Sequence, residues 1–552
     1  MRDDASGAGY GLVPETRGLV AAARRALGDS PRVRGQLDEC ARRLDEPLRV
    51  ALAGQLKAGK STLLNALVGQ DIAPTDATEC TRLVTWYRHG SAPKVTAYSS
   101  DGAAADVVVR RGRGADGLPG AHGLTFDLSA LRWNSPTPRE VDQLSVQWPS
   151  AELAQTTIID TPGISSLSRE VSARTSRLFA PAGDGPALPP ADAVLYLLRR
   201  LDTADIDFLE SIGGTGNDDV VSNSGAVTGH AGGVNRGTYN AAPHGFSGPL
   251  GVIGVVSRAD EIGAGRIDAL HSARDVASRF ATELERTGLC QSVIPVAGLL
   301  AFAAATLRQR EYDAFEALAA IPVDELTTAL LSADRFAHPD LPLPVPAEMR
   351  AHLAARFGLF GIRLAVTLIR LGVRGSQALA AELSQRSGLD ELRTVLDVQF
   401  AQRADELKAH SALTALARIL TAHPGTAADT LLPRVRTLLA DVHGFAELRL
   451  LARLRTDELP LPPADLAELH RLIGGAGVSP TLRLGLASHT DLPTQREAAL
   501  AAIHKWRTRS RHPLADQSLT QACLTAARSA EGLLAILHEP PTTPFPALPP
   551  HR

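Results

Sequence analysis

The sequence predicts a mostly parallel α/β phosphate-loop domain, with helices on both faces of its sheet, followed by an extended α-helical bundle. Three observations predict it. Gly54-Gln55-Leu56-Lys57-Ala58-Gly59-Lys60-Ser61 fits the pattern G-x-x-x-x-G-K-[ST]. Short apolar runs recur between residues 48 and 296, each closed by turn residues, as buried parallel strands do. From about residue 305 onward the apolar positions follow a helical period between Pro and Gly breaks.

Composition narrows the class. The chain has 552 residues, more than one core accommodates, so two or more domains are expected. A 44% apolar and 21% charged composition is that of an ordinary soluble protein, and a net charge of −3 gives no reason to expect nucleic acid as a partner. Cys40, Cys80, Cys290 and Cys523 lie far apart, which argues against a disulfide framework or a zinc site and suits a reducing cytosol. The first residues lack the apolar core of a signal peptide, and no uninterrupted apolar run reaches the ~18 residues of a spanning helix, so membrane contact is expected to be peripheral.

In chain order, residues 16–46 show helical spacing, divided near Gly28 and Pro31. This N-terminal segment, 1–47, needs a partner for its apolar face and is expected to pack on the C-terminal bundle. The α/β domain is expected over 48–305. Leu48–Ala53 reads as its first buried strand, and Leu63, Leu64, Ala66 and Leu67 give the helix after the loop an apolar face. Strand, glycine loop and helix N-terminus in that order form an anion site, because loop N–H groups converge and the helix dipole favours negative charge. Gly54, Gln55, Lys57, Ala58, Gly59, Lys60, Ser61 and Thr62 are the expected phosphate contacts. Lys60 should reach the β- and γ-phosphates, and the Ser61 hydroxyl should ligate Mg²⁺.

The segment 74–81 follows, then Leu83–Tyr87 and Lys94–Tyr98, which the turn residues between them mark as a hairpin. A nucleotide switch needs a hydroxyl on Mg²⁺ that releases when the γ-phosphate leaves, and Thr81 is the first choice here, Thr78 the second. Both threonines could instead only cap and turn the backbone. Residues 100–125 read as a loose excursion and 144–149 as a strand. Thr156–Asp160 is a β-branched strand ending in Asp160-Thr161-Pro162-Gly163. Asp160 can hold Mg²⁺ through water at the carboxyl end of a parallel strand, and the Gly163 N–H can sense a γ-phosphate. A strand over 192–198 and a short helix over 202–212 precede a Gly-, Asn- and Ser-rich stretch, 213–248, expected to be a disordered insertion.

The sheet resumes at 250–256 and delivers Ser257-Arg258-Ala259-Asp260, in the place of a guanine-reading [NT]-K-x-D. An aspartate accepts two hydrogen bonds from guanine N1–H and N2–H₂, which adenine cannot donate. The stem of Arg258 can lie on the base in place of the usual lysine. Ser257 in place of Asn or Thr is a departure. Residues 292–298 read as the last strand and a loop, Ala297-Gly298, that closes on the base through its backbone. An ATPase or kinase could use the same phosphate loop, but Asp260 should reject adenine.

These signals together resemble the GTPase domain of the dynamin superfamily, whose motifs are widely separated and flanked by helical sequence. Closer still, Ala53–Leu63, Asp71–Glu79 and Ser257–Asp268 look like the isoniazid-inducible dynamin-like proteins of mycobacteria, the IniC type. Arg356-Phe357-Gly358-Leu359-Phe360-Gly361 shares in the likeness, which lapses at 213–248 and in the proline-rich tail. The resemblance implies hydrolysis of GTP to GDP and phosphate with GTP and Mg²⁺ bound, coupled to membrane remodelling or maintenance under envelope stress. It implies a cytoplasmic chain held peripherally at the inner face of the cell membrane. Anionic lipid and a second copy or a related subunit would be its partners. Eukaryotic dynamins carry a serine where this chain has Lys57. A lysine there could supply positive charge to catalysis or point to solvent. Lys57, Lys60 and Thr81 are therefore the catalytic candidates, and Ser61, Thr81 and Asp160 the metal candidates.

Residues 306–539 are expected to form the helical neck and trunk, with helices that include 311–332, 347–372 and 388–421, and 540–552 an unfolded tail. In 347–372, Arg356, Arg363 and Arg370 recur every seventh residue. That stripe suits a helix in a lipid interface or a trunk helix with a solvated edge. A regulatory switch that holds a protein partner and never touches lipid is the alternative function.

Overall fold

The computed structural model describes residues 12–74, 83–113, 119–129, 131–133, 139–163, 191–213, 251–266, 268–285, 290, 292–441, 443–454, 459–513 and 515–538. Thr78, Thr81, the 213–248 insertion after Gly213 and the 540–552 tail lie outside them. The chain forms two compact units, residues 1–436 and 437–552.

In the first unit, helices α1 (Leu12–Leu27) and α2 (Pro31–Asp45) precede strand β1 (Leu48–Gly54) and helix α3 (Lys60–Val68). Strands β2 (Val84–His89), β3 (Lys94–Tyr98), β4 (Ala104–Asp106), β5 (Val108–Arg113), β6 (Pro119–Asp127) and β7 (Gln143–Trp148) follow. Next come helix α4 (Ala151–Gln155), β8 (Thr156–Asp160), β9 (Ala193–Leu198), helix α5 (Thr203–Gly213), β10 (Gly251–Ser257), helix α6 (Ala269–Glu285) and β11 (Ser292–Val296).

The nine-stranded sheet runs β11-β10-β9-β1-β8-β2-β7-β3-β4. β1, β9 and β10 are buried at every position, which is why they read as unbroken apolar runs. β11, β10, β9, β1 and β8 are parallel neighbours, and β2 joins β8 antiparallel. The carboxyl ends of β1, β8 and β10 therefore open on one edge, where such sheets bind ligands.

β2 and β3 do not form the expected hairpin. β7 lies between them, parallel to β2 and antiparallel to β3. The turn residues after β2 serve a wider connection: Gly90 N–H donates to Trp148 O, and a Cβ on Gly90 would meet Gln147 Cβ at 2.8 Å. Residues 100–125 are not a loose excursion either, since β5 and β6 pair there as a separate two-stranded ribbon.

Helices α7 (Gly298–Ala305), α8 (Gln309–Ala319), α9 (Ala347–Arg370), α10 (Ser376–Gln385), α11 (Leu389–Gln399) and α12 (Ala404–Ala422) complete this unit's main helical part. α1 and α2 pack on each other and on α12, burying Leu19, Val20, Val33, Leu37 and Leu44. The expected helix 311–332 is interrupted, because Pro322 ends one segment and caps the next, Val323–Ala329. The expected helix 388–421 breaks at a turn over Ala401–Arg403, beside Phe400, whose ring lies against Gly251.

α9 departs furthest from expectation. It is long and apolar enough to cross a membrane, yet 61% of its most apolar stretch is buried inside the protein. Its arginines bond to backbone carbonyl groups of this unit. Arg350 donates to His338 O and Leu341 O, Arg356 to Thr306 O, Arg363 to Leu330 O, and Arg370 to Ala319 O and Ile321 O. Apart from Leu341 O, each acceptor lies at or just beyond the C-terminus of a neighbouring helix, where the dipole favours a cation.

The second unit is helical, with α13 (His443–Arg453), α14 (Pro463–Leu472), α15 (Leu492–Ser510) and α16 (Gln517–His538). Leu469, Leu472, Trp506, Cys523, Ala526 and Leu533 belong to its core, and Trp506 Nε1 donates to Glu468 at 3.0 Å.

Candidate nucleotide site

The phosphate loop joins β1 to α3 through backbone geometry that few residues tolerate. Gly54 has φ +143°, and a Cβ there would stand 2.5 Å from Leu197 O. Gly59 caps α3 at φ +91°. Among the described residues, Lys57 (φ +61°) and Arg258 (φ +52°) are the non-glycine residues with positive φ. Both had been singled out from the sequence, one at each end of the site, and such strain gathers where function overrides local preference.

Lys60 is buried, and its Nζ donates to Gly54 O at 3.2 Å and Gln55 O at 3.1 Å. Burial lowers its pKa, and the neighbouring Asp160 carboxylate opposes that shift. Ser61 Oγ donates to Asp160 Oδ2 at 2.8 Å, bringing the two expected metal residues into contact. Asp160 Oδ1 is out of contact with water and has no hydrogen-bond partner. Burial raises the Asp160 pKa, against the pull of Lys60 and Ser61. A hydroxyl beside a carboxylate with one unpartnered oxygen fits Mg²⁺, whose other positions water and phosphate oxygens fill.

The Asp160–Gly163 segment packs on the loop. Thr161 Oγ1 donates to Leu52 O at 2.8 Å, and a Cβ on Gly163 would stand 2.7 Å from Leu56 N. Glycine is required there for contact with the loop, apart from any role in sensing phosphate. The Lys57 side chain is exposed. The Gln55 side chain is engaged with another segment, Nε2 donating to Asp202 at 2.8 Å and to Asp205 at 3.1 Å.

At the other end, Ala58, Gly59, Thr62, Ser257, Arg258, Asp260, Gly298 and Leu299 line one cleft. Asp260 is 7% exposed, and burial raises its carboxyl to a pKa of about 6. Arg258 reaches Glu261 at 2.6 Å. The Ser257 hydroxyl points into the sheet, donating to Leu198 O at 3.3 Å. Ala297 is not placed to close on a base through its N–H, because that group donates to Ser387 O at 2.8 Å. Gly298 does line the cleft.

Sequence reasoning missed Asn65. Fully buried in α3, it accepts from the N–H groups of Ile72 and Ala73 at 2.9 and 2.8 Å and donates to Ala73 O at 2.9 Å. It thereby fixes the entrance to the segment expected to carry Thr81. The available signal was a lone amide in an apolar helix face.

A glycine loop at the end of β1, Asp-x-x-Gly at the end of β8 and an aspartate-bearing base loop at the end of β10 define a nucleotide domain of the GTPase class. Residues 50–199 match the profile described as "Dynamin family". The chain is 50% identical over 501 residues to the "Isoniazid-induced protein IniC" of Mycobacterium tuberculosis, covering 91% of this chain and 92% of that one. A "Bacterial dynamin-like protein" of Nostoc punctiforme is 44% identical over 54 residues, 10% of this chain and 8% of its own. A solved chain described under "An oligomerised bacterial dynamin pair provides a mechanism for the long-range sensing and tethering of membranes" aligns over 95% of this chain and 73% of its own, with 13% identity and a TM-score of 0.28. The chain belongs to the IniC family of bacterial dynamin-like proteins.

Proposed function

We propose that this protein binds GTP with Mg²⁺, hydrolyses it to GDP and phosphate, and uses the cycle to remodel or maintain the cell membrane under envelope stress. The observation that carries the nucleotide reading is that one edge of the sheet presents the Lys60, Ser61 and Asp160 cluster together with the buried Asp260 carboxylate. The first group suits a triphosphate and the second a guanine edge. When bound, Mg²⁺ neutralises charge on the phosphates. The chain's own contribution is to hold those phosphates with Lys60 and loop N–H groups and to hold the base with Asp260. Family membership supports the coupling to membranes, with anionic lipid and a second dynamin-like subunit as partners and the cytoplasmic face of the membrane as the place of action.

One observation favours the alternative of a switch acting through a protein partner without lipid. The arginine stripe of α9, the best lipid candidate in the sequence, is engaged with helix termini. Phosphate release from GTP, measured with and without anionic liposomes, separates the two. Stimulation by liposomes that co-sediment the protein is the expected result. Turnover indifferent to lipid would favour the switch, and no release of phosphate from GTP would remove the enzymatic reading.

A further inference from the structure

We propose that Gly358 is a positioning residue for guanine recognition, because the break it makes in α9 sets that helix's backbone against the carboxylate of Asp260. The proposal rests on the reading of Asp260 as the base-recognition residue.

Gly358 has φ +63° and ψ 174° inside a segment that is otherwise helical. That conformation is essentially confined to glycine. No proline lies within α9 to cause the break. A Cβ on Gly358 would stand 3.8 Å from Asp260 Oδ2 and 3.8 Å from Leu299 Cδ2, and both residues line the cleft. Space for a methyl group is therefore available, and the requirement for glycine lies in the backbone.

Both halves of α9 are anchored. Before the break, Arg356 pairs with the fully buried Glu311 at 2.8 Å and donates to Thr306, while Arg350 holds His338 O and Leu341 O. After it, Arg363 and Arg370 hold the ends of two other helices. Strain introduced at position 358 cannot be relieved by sliding either half. It is relieved at the joint, against the turn over Ala259–Gly265 that carries Asp260. Asp260 must place two oxygens in line with two donors of the base, so a displacement of a few tenths of an ångström weakens both bonds.

The test compares GDP, IDP and ADP binding in the wild type and in Gly358→Ala. IDP lacks the exocyclic amine that Asp260 would accept from. Loss of positioning lowers GDP affinity about tenfold and brings the GDP:IDP ratio toward one, leaving Mg²⁺-pyrophosphate affinity unchanged. A folded Gly358→Ala protein with the wild-type GDP:IDP ratio overturns the proposal. A general loss of structure would weaken all ligands alike and keep the ratio, so it is distinguished. Hydrogen exchange on the wild type needs no variant. GDP should slow exchange across residues 353–363 and Mg²⁺-pyrophosphate should not. Equal protection by both ligands, or by neither, overturns the proposal. Wild-type protein that fails to prefer GDP over ADP defeats the reading of Asp260 itself, and this proposal with it.

Discussion

The two ends of the cleft are built on opposite principles. At the phosphate end most polar groups already have partners within the chain: Lys60 donates to two loop carbonyls and Ser61 to Asp160, leaving Asp160 Oδ1 as the one unpartnered atom of that cluster. At the base end Asp260 is at least as buried as Lys60, but among the described residues no other side chain donates to its carboxylate. The phosphate end holds its cation and hydroxyl on internal partners, which a ligand would replace, and keeps one carboxylate oxygen for a metal. The base end carries a desolvated carboxylate whose best partners are donors from outside the chain. Binding strength should therefore be concentrated at the first end. Selectivity and pH dependence should be concentrated at the second.

The strongest challenge to this contrast is Lys60→Ala. On the proposed function it removes the cation that would neutralise the transferring phosphoryl group. GTP turnover should fall by about a hundredfold or more, with weaker nucleotide binding. The preference for guanine over adenine among whatever binding remains should persist. Phosphate release and competition titrations measure the two quantities separately, and unchanged turnover would remove Lys60 from the site.

Asp260→Asn attacks the other end. It replaces a charged double acceptor with a neutral group that accepts at one atom. GDP affinity should fall roughly 10–100-fold, with ADP and Mg²⁺-pyrophosphate little changed. The wild type should also show a pH effect. Its carboxyl is raised to about 6, and only the ionised form accepts both bonds, so protonation competes with guanine. GDP affinity should be flat above that value and fall as pH drops through it, by up to about tenfold per pH unit. Asp260→Asn should abolish this dependence. A GDP affinity in the wild type that stays constant down to pH 5 would contradict the assignment.

What could be read in advance follows from the range of the interactions. The placement of Gly54–Ser61, Asp160–Gly163 and Asp260 at the carboxyl ends of three strands was legible because each motif is a local pattern after a buried strand. The partners of the Gln55 side chain and of the Ala297 N–H could not be read because they are distant in sequence: Asp202 and Asp205 hold the first, Ser387 O the second. The β2–β3 hairpin failed for a related reason. Turn residues permit a reversal but do not exclude a strand from elsewhere, and β7 enters the gap. The arginines of α9 show a different limit. Periodicity reports that cations share one face of a helix, and it does not report whether that face meets water, lipid or carbonyl groups. The bend at Gly358 had no proline to announce it.

Asn65 gives the finest test of the contrast, because it belongs to the phosphate end without touching the expected ligand. Its side chain holds the backbone of residues 72–73, which lead into the segment expected to carry Thr81. Asn65→Ala leaves the N–H groups of Ile72 and Ala73 without their acceptor in a buried setting. The loss of stability should be about 1–3 kcal/mol, read from urea unfolding. Because the loop and α3 remain in place, GDP affinity should change by no more than about threefold, well within 1 kcal/mol. Turnover should fall several-fold, since the hydroxyl expected on the metal is then held by a looser tether. The GDP:IDP ratio should not move, because nothing at the base end depends on Asn65. A loss of base discrimination in Asn65→Ala would show that the two ends are mechanically coupled through α3, and their separation would have to be abandoned.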